Sequence, residues 1–430
     1  MAPLRIPGDK SISHRALMLA VLGRGRSRIR GLLQSADVAS TAGALRRLGA
    51  SIPDLASETI EIEGLGLRGL GENPHDTARA TAWAAAHAID CGNSGTTARL
   101  MAGIVAGAGL TARFEGDASL SARPMRRVAT PLEAMGARVE LPVHGGLPMI
   151  VHGGPLHGLT WHSEVASAQV KTAILLAGLV ADVPVEIHEA AATRDHTERM
   201  LQARGVDVRT EDRTVTLVPR ARLDAGDIDV PGDPSSAAFF VGLAAIGAVG
   251  DVTLANVGIN PGRTGAFRVL RRMGVTLRYD DESLQGGEPV ATVVATGGGR
   301  LRATVVTPDE VPSLIDELPL IACVAACAVG ETRVTGAAEL RVKESDRIRA
   351  VVSNLRTIGA DAEELPDGFV VRGSERPLRG TVTTHGDHRI AMAFGVLGAR
   401  AGNAITLDAP SCVAVSYPSF WDDLARVRLR

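Results

Sequence analysis

The feature that most constrains the fold of this chain is a pattern that recurs six times along its 430 residues. Each copy opens on a short stretch rich in Gly, Ser, Asn or Asp, which leads into an apolar, Ala-rich helix. A short β-like stretch follows, and then a more polar helix that ends in Leu-x-x-x-Gly in the first five copies. The six openers are PGDKSISHR, CGNSGTTAR, SAQVKTA, PGDPSSAA, DELPLIA and HGDHRIAM.

The repeat predicts an α/β fold in which each copy is a β-α-β-α-β-β unit. The first helix of each copy is apolar nearly all round, which predicts that it is buried. Six buried helices require more than one core, so we expect three copies in each of two domains. We place the first domain at residues 9–224 and the second at 225–430, with the division in the stretch RLDAGDIDV.

The openers admit two interpretations. Helix N-termini attract anions through their free N–H groups, so openers that face a shared cleft between the domains would form an anion-binding site. The same residue types are also ordinary N-caps, and for GDPSS this second interpretation is equally good.

Composition excludes several classes of function. A net charge of −2 and an aromatic content of 3% leave little to bind the phosphates or stack on the bases of a nucleic acid. The start of the chain is too short and polar for a secretory signal, and its apolar runs are shorter than a membrane span. Cys323 and Cys327 lie four residues apart among apolar neighbours and are expected to be buried thiols and not metal ligands. We therefore expect a cytoplasmic protein.

Lysine is rare in this chain and is placed unevenly. Of 46 basic residues only three are lysine, namely Lys10, Lys171 and Lys343. A coding bias toward arginine explains the depletion, but it does not explain why each lysine lies in a polar cluster. A lysine kept where arginine is the default indicates a need for a compact ammonium that can also transfer a proton.

Two clusters in the first half place polar side chains at a helix start. Lys10, Ser11 and Arg15 in the first opener suit a phosphate and a carboxylate, and His14 is either a member of this cluster or an ordinary residue of the helix surface. Gly95 in GNSGTTAR allows a ligand to approach the backbone closely, although this stretch is also consistent with a plain loop.

Three further stretches of the first half add candidate ligands. The arginine of SLSARP, Arg123, is held extended by the following proline and can offer a bidentate fork to an anion. The third opener contributes Ser167 and Gln169, and TRDHTERM contributes Arg194. The His and Glu of TRDHTERM, at positions 196 and 198, are either ligands or a hydrogen-bonded structural pair.

The second half carries the acidic candidates. Asp316 follows an apolar stretch, and RVKESDRIR contains Lys343, Glu344 and Arg347. Such an alternating-charge segment is often a solvated helix face, but here it follows a strand and precedes a helix. Arg389 lies directly before the last apolar helix. The many cations suit two anionic substrates, and the carboxylates of Asp316 and Glu344 suit proton transfer.

Seven motifs taken together resemble one family. They are GDKSISHRA, GNSGTTARL, SARPM, SAQVKTA, RDHTERM, LRVKESDRI and GDHRIAM, which run in this order from residue 8 to 393. The chain resembles 5-enolpyruvylshikimate-3-phosphate (EPSP) synthases, and SAQVK and RDHTE resemble the second sequence class of that family. The resemblance implies two similar domains that form an inside-out α/β barrel fold with the active site in the interdomain cleft. It also implies that residues 1–8 cross over to join the second domain.

The resemblance implies a reaction and its participants. The enolpyruvyl group of phosphoenolpyruvate is transferred to the 5-hydroxyl of shikimate 3-phosphate, and phosphate is released by addition and elimination through a tetrahedral intermediate. This step belongs to the shikimate pathway, which leads to chorismate and the aromatic amino acids, and it is the target of glyphosate. The family implies no cofactor, no metal, no nucleic acid or membrane partner, and a monomer.

The resemblance also assigns roles to individual residues. Asp316 takes the proton of the attacking hydroxyl, and Glu344 together with Lys10 moves the protons of the methylene carbon. Shikimate 3-phosphate is expected to contact Lys10, Ser11, Arg15, Ser167, Ala168, Gln169, Arg194, Asp316 and Lys343. Phosphoenolpyruvate is expected to contact Lys10, Asn93, Gly95, Thr96, Arg123, Gln169, Arg347, His388 and Arg389.

Some positions depart from the family or separate it from rivals. Val415 stands where some members carry a phosphoenolpyruvate-binding lysine, and Gly262 makes the NPGR motif imperfect. The alternative is the related transferase that acts on UDP-N-acetylglucosamine, which has a loop cysteine where this chain has Ala118. A non-catalytic anion-binding or RNA-processing relative is a second alternative, which the low aromatic content disfavours.

Overall fold

The computed structural model describes residues 3–70, 88–219 and 222–428. The chain divides into two compact units. The N-unit comprises Gly8–Val230 together with Gln285–Glu288. The C-unit comprises the described residues of Met1–Pro7, with Pro231–Leu284 and Pro289–Arg430.

The helices of the described residues follow the openers and the polar segments of the repeat. They are α1 (Lys10–Leu22), α2 (Ala36–Arg47), α3 (Gly95–Gly107), α4 (Ala118–Ser121), α5 (Arg126–Ala134), α6 (Ala168–Ala181), α7 (His196–Gln202), α8 (Pro234–Ala245), α9 (Gly265–Arg272), α10 (Leu318–Ala325), α11 (Arg347–Thr357), α12 (His388–Gly398) and α13 (Phe420–Arg428). Short 3₁₀ turns lie at Val311–Ser313, Ile315–Glu317, Ala338–Val342 and Pro410–Val415.

The strands are short and alternate with these helices. They are β1 (Leu4–Arg5), β2 (Arg24–Arg30), β3 (Thr59–Leu65), β4 (Ile89–Asp90), β5 (Thr111–Glu115), β6 (Arg138–Glu140), β7 (Met149–His152), β8 (Leu159–His162), β9 (Val185–His188), β10 (Asp207–Glu211), β11 (Thr214–Val218), β12 (Ile228–Asp229), β13 (Val252–Gly258), β14 (Thr276–Gln285), β15 (Glu288–Thr296), β16 (Val305–Val306), β17 (Glu331–Val334), β18 (Asp361–Leu365), β19 (Gly368–Arg372), β20 (Arg379–Val382) and β21 (Ala404–Leu407).

The sheets repeat one topology. In the order β4-β5-β7-β6 the first pair is parallel and the other pairs are antiparallel. The sheets β8-β9-β11-β10 and β16-β17-β19-β18 are built in the same way. A parallel pair requires a crossover connection, which the apolar helices α3, α6 and α10 supply in these three sheets.

In the order of its elements the repeat is complete in the second, third, fourth and fifth copies. In the first copy one strand, β3, follows α2 among the described residues, and the last copy has α13 as its final helix. Across the described residues the strands form six separate sheets and no closed barrel.

Two short strands complete sheets far from their own place in the sequence. β1 pairs in parallel with β13, with Leu4 opposite Leu254. β12 pairs in parallel with β2, with Ile228 opposite Ile29. Each unit is therefore built from chain segments that are distant in sequence.

The first helix of each copy lies in a core, as its composition predicts. Every residue of α1 from Ile12 to Leu22 is buried, and so is every residue of α6 from Val170 to Val180. The N-unit and the C-unit each have one continuous apolar core. None of the helices in the described residues is both long enough and apolar enough to span a membrane.

Five of the six openers supply a side-chain N-cap, and the opener of α10 does not. Asp9 Oδ1 accepts a hydrogen bond from the backbone N–H of Ile12 at 2.9 Å, which caps α1. Side chains of Ser94, Ser167, Asp233 and Asp387 cap α3, α6, α8 and α12 in the same way. Because these caps fix each helix start, the side chains next to them are held in defined places.

Candidate active site

Lys10 is the first residue of α1 and lies directly after the cap. Its Nζ is 3.0 Å from Oδ2 of Asp37, a residue of α2 that sequence reasoning missed. The Lys10 side chain is 21% exposed, so a ligand can reach the ammonium beside its partner. The acidic first turn of α2, SADVAS, was the available signal for Asp37.

Arg15 is buried, one turn further along α1. Its Nε donates to Oγ1 of Thr197 at 2.7 Å, and Nη2 donates to Oγ1 of Thr172 at 2.8 Å. Nη1 donates to the carbonyl of Ser11 at 2.9 Å. Burial lowers the pKa of Arg15 to about 10, so the group stays cationic at neutral pH. Sequence reasoning missed both threonines, because Thr172 and Thr197 lie 157 and 182 residues away from Arg15 in the sequence.

His14 does not lie on the helix surface, which was one of its two interpretations. It is fully buried, and its Nδ1 lies 2.6 Å from Oγ1 of Thr41. Burial lowers the pKa of His14 to about 3, so the imidazole is neutral at physiological pH. The helix-surface interpretation is wrong because α1 is buried on every side, and its one histidine is buried with it.

A second group of candidates surrounds the start of α3. Arg99 Nη1 donates to Oε1 of Gln169 at 2.7 Å, and Nε2 of Gln169 donates to Oγ1 of Thr96 at 2.9 Å. Arg123 Nη2 donates to Oδ1 of Asn93 at 2.6 Å. The stretch GNSGTTAR is therefore part of a polar network and not a plain loop.

Gly95 lies between two guanidinium groups of this network. A Cβ at this position would be 2.8 Å from Nη1 of Arg99 and 3.6 Å from Nη1 of Arg123. A side chain at residue 95 would therefore displace Arg99, and glycine leaves the space open.

The His and Glu of TRDHTERM have different partners. His196 Nδ1 is 2.7 Å from Oε1 of Glu288, whereas Glu198 Oε1 is 2.6 Å from Nζ of Lys171. The alternative that they form a hydrogen-bonded pair with each other is wrong, because residues two apart on a helix point in different directions. Arg194 is half-buried in the loop before α7.

Arg347 is the centre of a charged cluster in the C-unit. The guanidinium is buried, with Nε 2.8 Å from Oδ2 of Asp387 and Nη2 3.2 Å from Oδ1 of the same residue. Nη2 is also 2.5 Å from Oε2 of Glu344, and Nη1 is 3.4 Å from Oδ1 of Asp316. Because Arg347 is buried, the interpretation of RVKESDRIR as a solvated helix face is wrong at this residue.

Burial and charge oppose each other at this cluster. Burial alone would lower the pKa of Arg347, but the carboxylates of Asp387, Glu344 and Asp316 raise it above the usual value. Burial alone would raise the pKa of Asp387, but Arg347 lowers it. Both groups are therefore ionised at neutral pH.

The two carboxylates predicted to move protons are the more accessible members of the cluster. The Asp316 side chain is 16% exposed, and its Oδ1 lies 3.4 Å from Nζ of Lys343. The Glu344 side chain is 22% exposed. A 3₁₀ turn at Ile315–Glu317 presents Asp316.

Arg389 and His388 begin α12. Nη1 of Arg389 lies 3.7 Å from Oε1 of Glu317, and its guanidinium carbon is 5.9 Å from the centroid of the Phe239 ring. His388 is buried. The Asp387 cap thus connects the start of α12 to the Arg347 cluster.

The two departures from the family motifs lie in the C-unit. Val415 ends the 3₁₀ turn at Pro410–Val415. In NPGR, Oδ1 of Asn260 accepts from the backbone N–H of Gly262 at 2.9 Å, and Nη2 of Arg263 is 2.9 Å from Oδ1 of Asp233. This arginine therefore supports the cap of α8.

The predicted site residues divide between the units. The N-unit holds Lys10, Ser11, Arg15, Asn93, Gly95, Thr96, Arg123, Ser167, Ala168, Gln169 and Arg194. The C-unit holds Asp316, Lys343, Glu344, Arg347, His388 and Arg389.

Comparison with known proteins decides the family. The sequence profile of EPSP synthase (3-phosphoshikimate 1-carboxyvinyltransferase) matches residues 1–424. The chain belongs to the EPSP synthase family. A 3-phosphoshikimate 1-carboxyvinyltransferase from Herpetosiphon aurantiacus is 43% identical over 429 residues, which cover 99% of this chain and 96% of that protein. One from Alkalilimnicola ehrlichii is 46% identical over 420 residues, 97% of this chain and 91% of that protein.

Solved structures place the fold in the same group. The EPSP synthase of Acinetobacter baumannii is 41% identical, with a TM-score of 0.85, and covers 99% of this chain and 95% of its own. The enolpyruvyl transferase NikO from Streptomyces tendae is 18% identical with a TM-score of 0.75, which shows a shared fold. The predicted α/β fold of EPSP synthases is confirmed.

Proposed function

We propose that this member of the EPSP synthase family transfers the enolpyruvyl group of phosphoenolpyruvate to the 5-hydroxyl of shikimate 3-phosphate, with the residues assigned above. The observation that carries this proposal is the cluster at Arg347. Two partly exposed carboxylates, Asp316 and Glu344, share one buried guanidinium. Two carboxylates with separate positions are what an addition followed by an elimination needs, because different atoms give up and receive protons.

In the addition, Asp316 accepts the proton of the 5-hydroxyl while the oxygen bonds to C2 of phosphoenolpyruvate. Lys343 beside Asp316 keeps the carboxylate oriented and contributes positive charge. Glu344 takes up a proton from solvent before the step and delivers it to C3, which becomes a methyl group. The product of this half is a tetrahedral intermediate that still carries the phosphate.

In the elimination, Glu344 removes one proton from the methyl group and the C2–O bond to phosphate breaks. The double bond re-forms between C2 and C3, and inorganic phosphate leaves with a proton that replaces the one Asp316 took from the hydroxyl, so both carboxylates return to their starting state. Cations near the departing phosphate stabilise the charge that develops on it. We assign this role to Arg123, Arg347, Arg389 and Lys10.

The N-unit supplies most of the anion-binding groups in this proposal. Arg15 and Arg194 provide positive charge for shikimate 3-phosphate, and Ser167 and Gln169 provide polar contacts. Arg123 and Asn93 serve phosphoenolpyruvate, next to the open space at Gly95. From the properties of the family we also propose that the enzyme is monomeric and cytoplasmic, and light scattering of the purified protein tests the oligomeric state.

Phosphate release by the purified protein tests the proposal. Release is expected only when both substrates are present, and it continues in the presence of a metal chelator. UDP-N-acetylglucosamine is then tested in place of shikimate 3-phosphate. Phosphate release from phosphoenolpyruvate with this acceptor would favour the activity of the related transferase. Folded protein that releases phosphate with neither acceptor contradicts the proposal.

A further inference from the structure

Lys171 is the lysine to which the proposed site gives no role. Its side chain is 2% exposed. Nζ lies 2.6 Å from Oε1 of Glu198 and 3.0 Å from Oε2 of Glu189. Burial alone would lower the pKa of Lys171, but Glu198 and Glu189 together raise it. Lys171 is therefore a buried cation between two carboxylates, out of reach of a substrate.

A second pair of residues lies directly beside the Lys171–Glu198 contact. The hydroxyls of Thr172 and Thr197 are 2.7 Å apart, on the same two helices, α6 and α7. Both hydroxyls accept hydrogen bonds from Arg15. The ion pair and the pair of hydroxyls that binds Arg15 therefore join the same two helices, one residue apart on each.

The carboxylate of Glu189 connects Lys171 to Arg194, a second residue assigned to shikimate 3-phosphate. Glu189 follows β9, and it accepts a hydrogen bond from the hydroxyl of Thr193. Thr193 directly precedes Arg194 in the sequence. One ammonium therefore connects the supports of Arg15 with the loop that carries Arg194.

We propose that Lys171 is a positioning residue for shikimate 3-phosphate, which holds Arg15 and Arg194 in place without touching the substrate. This inference rests on the proposed function. It also explains why lysine is retained here in a chain where 43 of 46 basic residues are arginine. A buried space between two carboxylates accommodates a compact ammonium, whereas a planar guanidinium is larger and needs a different donor geometry.

The test compares Lys171→Met with a matched control, Arg204→Met. Arg204 is also a largely buried cation of the N-unit, but it follows the other end of α7 and its Nη1 donates to the carbonyl of Met200. The measurements are the dissociation constant of shikimate 3-phosphate by calorimetry without phosphoenolpyruvate, and the KM of each substrate.

For Lys171→Met we expect the dissociation constant and KM of shikimate 3-phosphate to rise at least about tenfold, because a displaced binding group loses its alignment. The KM of phosphoenolpyruvate should change much less. Arg204→Met also removes a buried cation of the N-unit, and it should leave the KM of shikimate 3-phosphate unchanged. Equal changes for both substrates, or no change for shikimate 3-phosphate, would overturn the inference.

If Lys171→Met does not fold, Glu198→Gln decides the question. This variant keeps the shape of the side chain and removes the charge that holds Lys171 to α7. A selective rise in the KM of shikimate 3-phosphate supports the inference, and an unchanged KM overturns it. Wild-type protein without turnover contradicts the proposed function instead, so the two failures are distinguishable.

Discussion

Nζ of Lys343 lies 3.4 Å from Oδ1 of Asp316. The same carboxylate oxygen is 3.4 Å from Nη1 of Arg347. Two cations at one oxygen stabilise the carboxylate anion, and the exposed part of Asp316 leaves room for a hydroxyl to approach it. This geometry supports Asp316 as the proton acceptor.

Replacing Asp316 with asparagine should abolish most of the activity. Asp316→Asn keeps the size of the side chain but cannot accept the proton, so kcat for phosphate release should fall by about 10² to 10⁴-fold. Asp361→Asn is the matched control, because Asp361 is an exposed carboxylate of the C-unit that contacts Arg372. Full activity in Asp316→Asn would remove this residue from the chemistry.

A methyl group at residue 95 should weaken phosphoenolpyruvate binding while the fold survives. In Gly95→Ala the new Cβ would lie 2.8 Å from Nη1 of Arg99, the flexible end of a side chain that holds Gln169. The KM of phosphoenolpyruvate should rise by about tenfold as these contacts shift. Gly43→Ala, a helix position with open space around it, is the control and should leave the KM unchanged. An unchanged KM in Gly95→Ala would show that Arg99 and Gln169 do not bear on this substrate.

The buried pair of Arg347 and Asp387 should be important for stability. Asp387→Asn retains a side chain that can cap α12 but leaves the buried guanidinium without its bidentate partner. The free energy of unfolding should fall by about 3–5 kcal/mol in urea titrations. Asp361→Asn breaks an exposed ion pair and should change the free energy of unfolding little. Equal stability of the two variants would contradict the claim that the pairing of Asp387 with Arg347 stabilises the fold.

His14 should make the protein less stable in mild acid. Its pKa is about 3 in the folded state because the ring is buried, against 6.5 for an ordinary histidine. Below pH 6.5 the unfolded chain takes up a proton that the folded chain does not, so this histidine lowers stability by up to about 1.4 kcal/mol per pH unit as the pH falls toward 3.

Unfolding of wild type and His14→Asn at several pH values between 6.5 and 4.5 measures this effect. Asparagine can keep a hydrogen bond to Thr41 but does not titrate, so the variant should show a shallower loss of stability. If the free energy of unfolding falls equally with pH in both proteins, the folded protein takes up a proton at His14 as readily as the unfolded chain does.

Local sequence patterns predicted the parts of this structure that depend on neighbouring residues. The openers predicted helix starts, and Asp9 and Ser94 cap them as their residue types require. The burial of α1 and α6 followed from their apolar character on all sides.

Most of the contacts that support the candidate site join distant residues and left no local signal. Arg15 reaches Thr197 across 182 residues, and Arg347 reaches Asp387 across 40. The helix-surface interpretation of His14 was wrong for the related reason that a polar residue in a fully buried helix finds its partner on another helix, at Thr41. Such pairs are determined by the packing of elements and not by spacing along the chain.

Proton exchange at C3 of the transferred group tests the central claim most directly. With both substrates in D₂O, addition places a deuteron on the methyl group and elimination removes one of its three hydrogens at random. NMR of the product should therefore show deuterium in the vinyl methylene with wild-type protein, whereas Glu344→Gln should form no product. Active wild-type protein whose product carries no deuterium would contradict addition and elimination through Glu344.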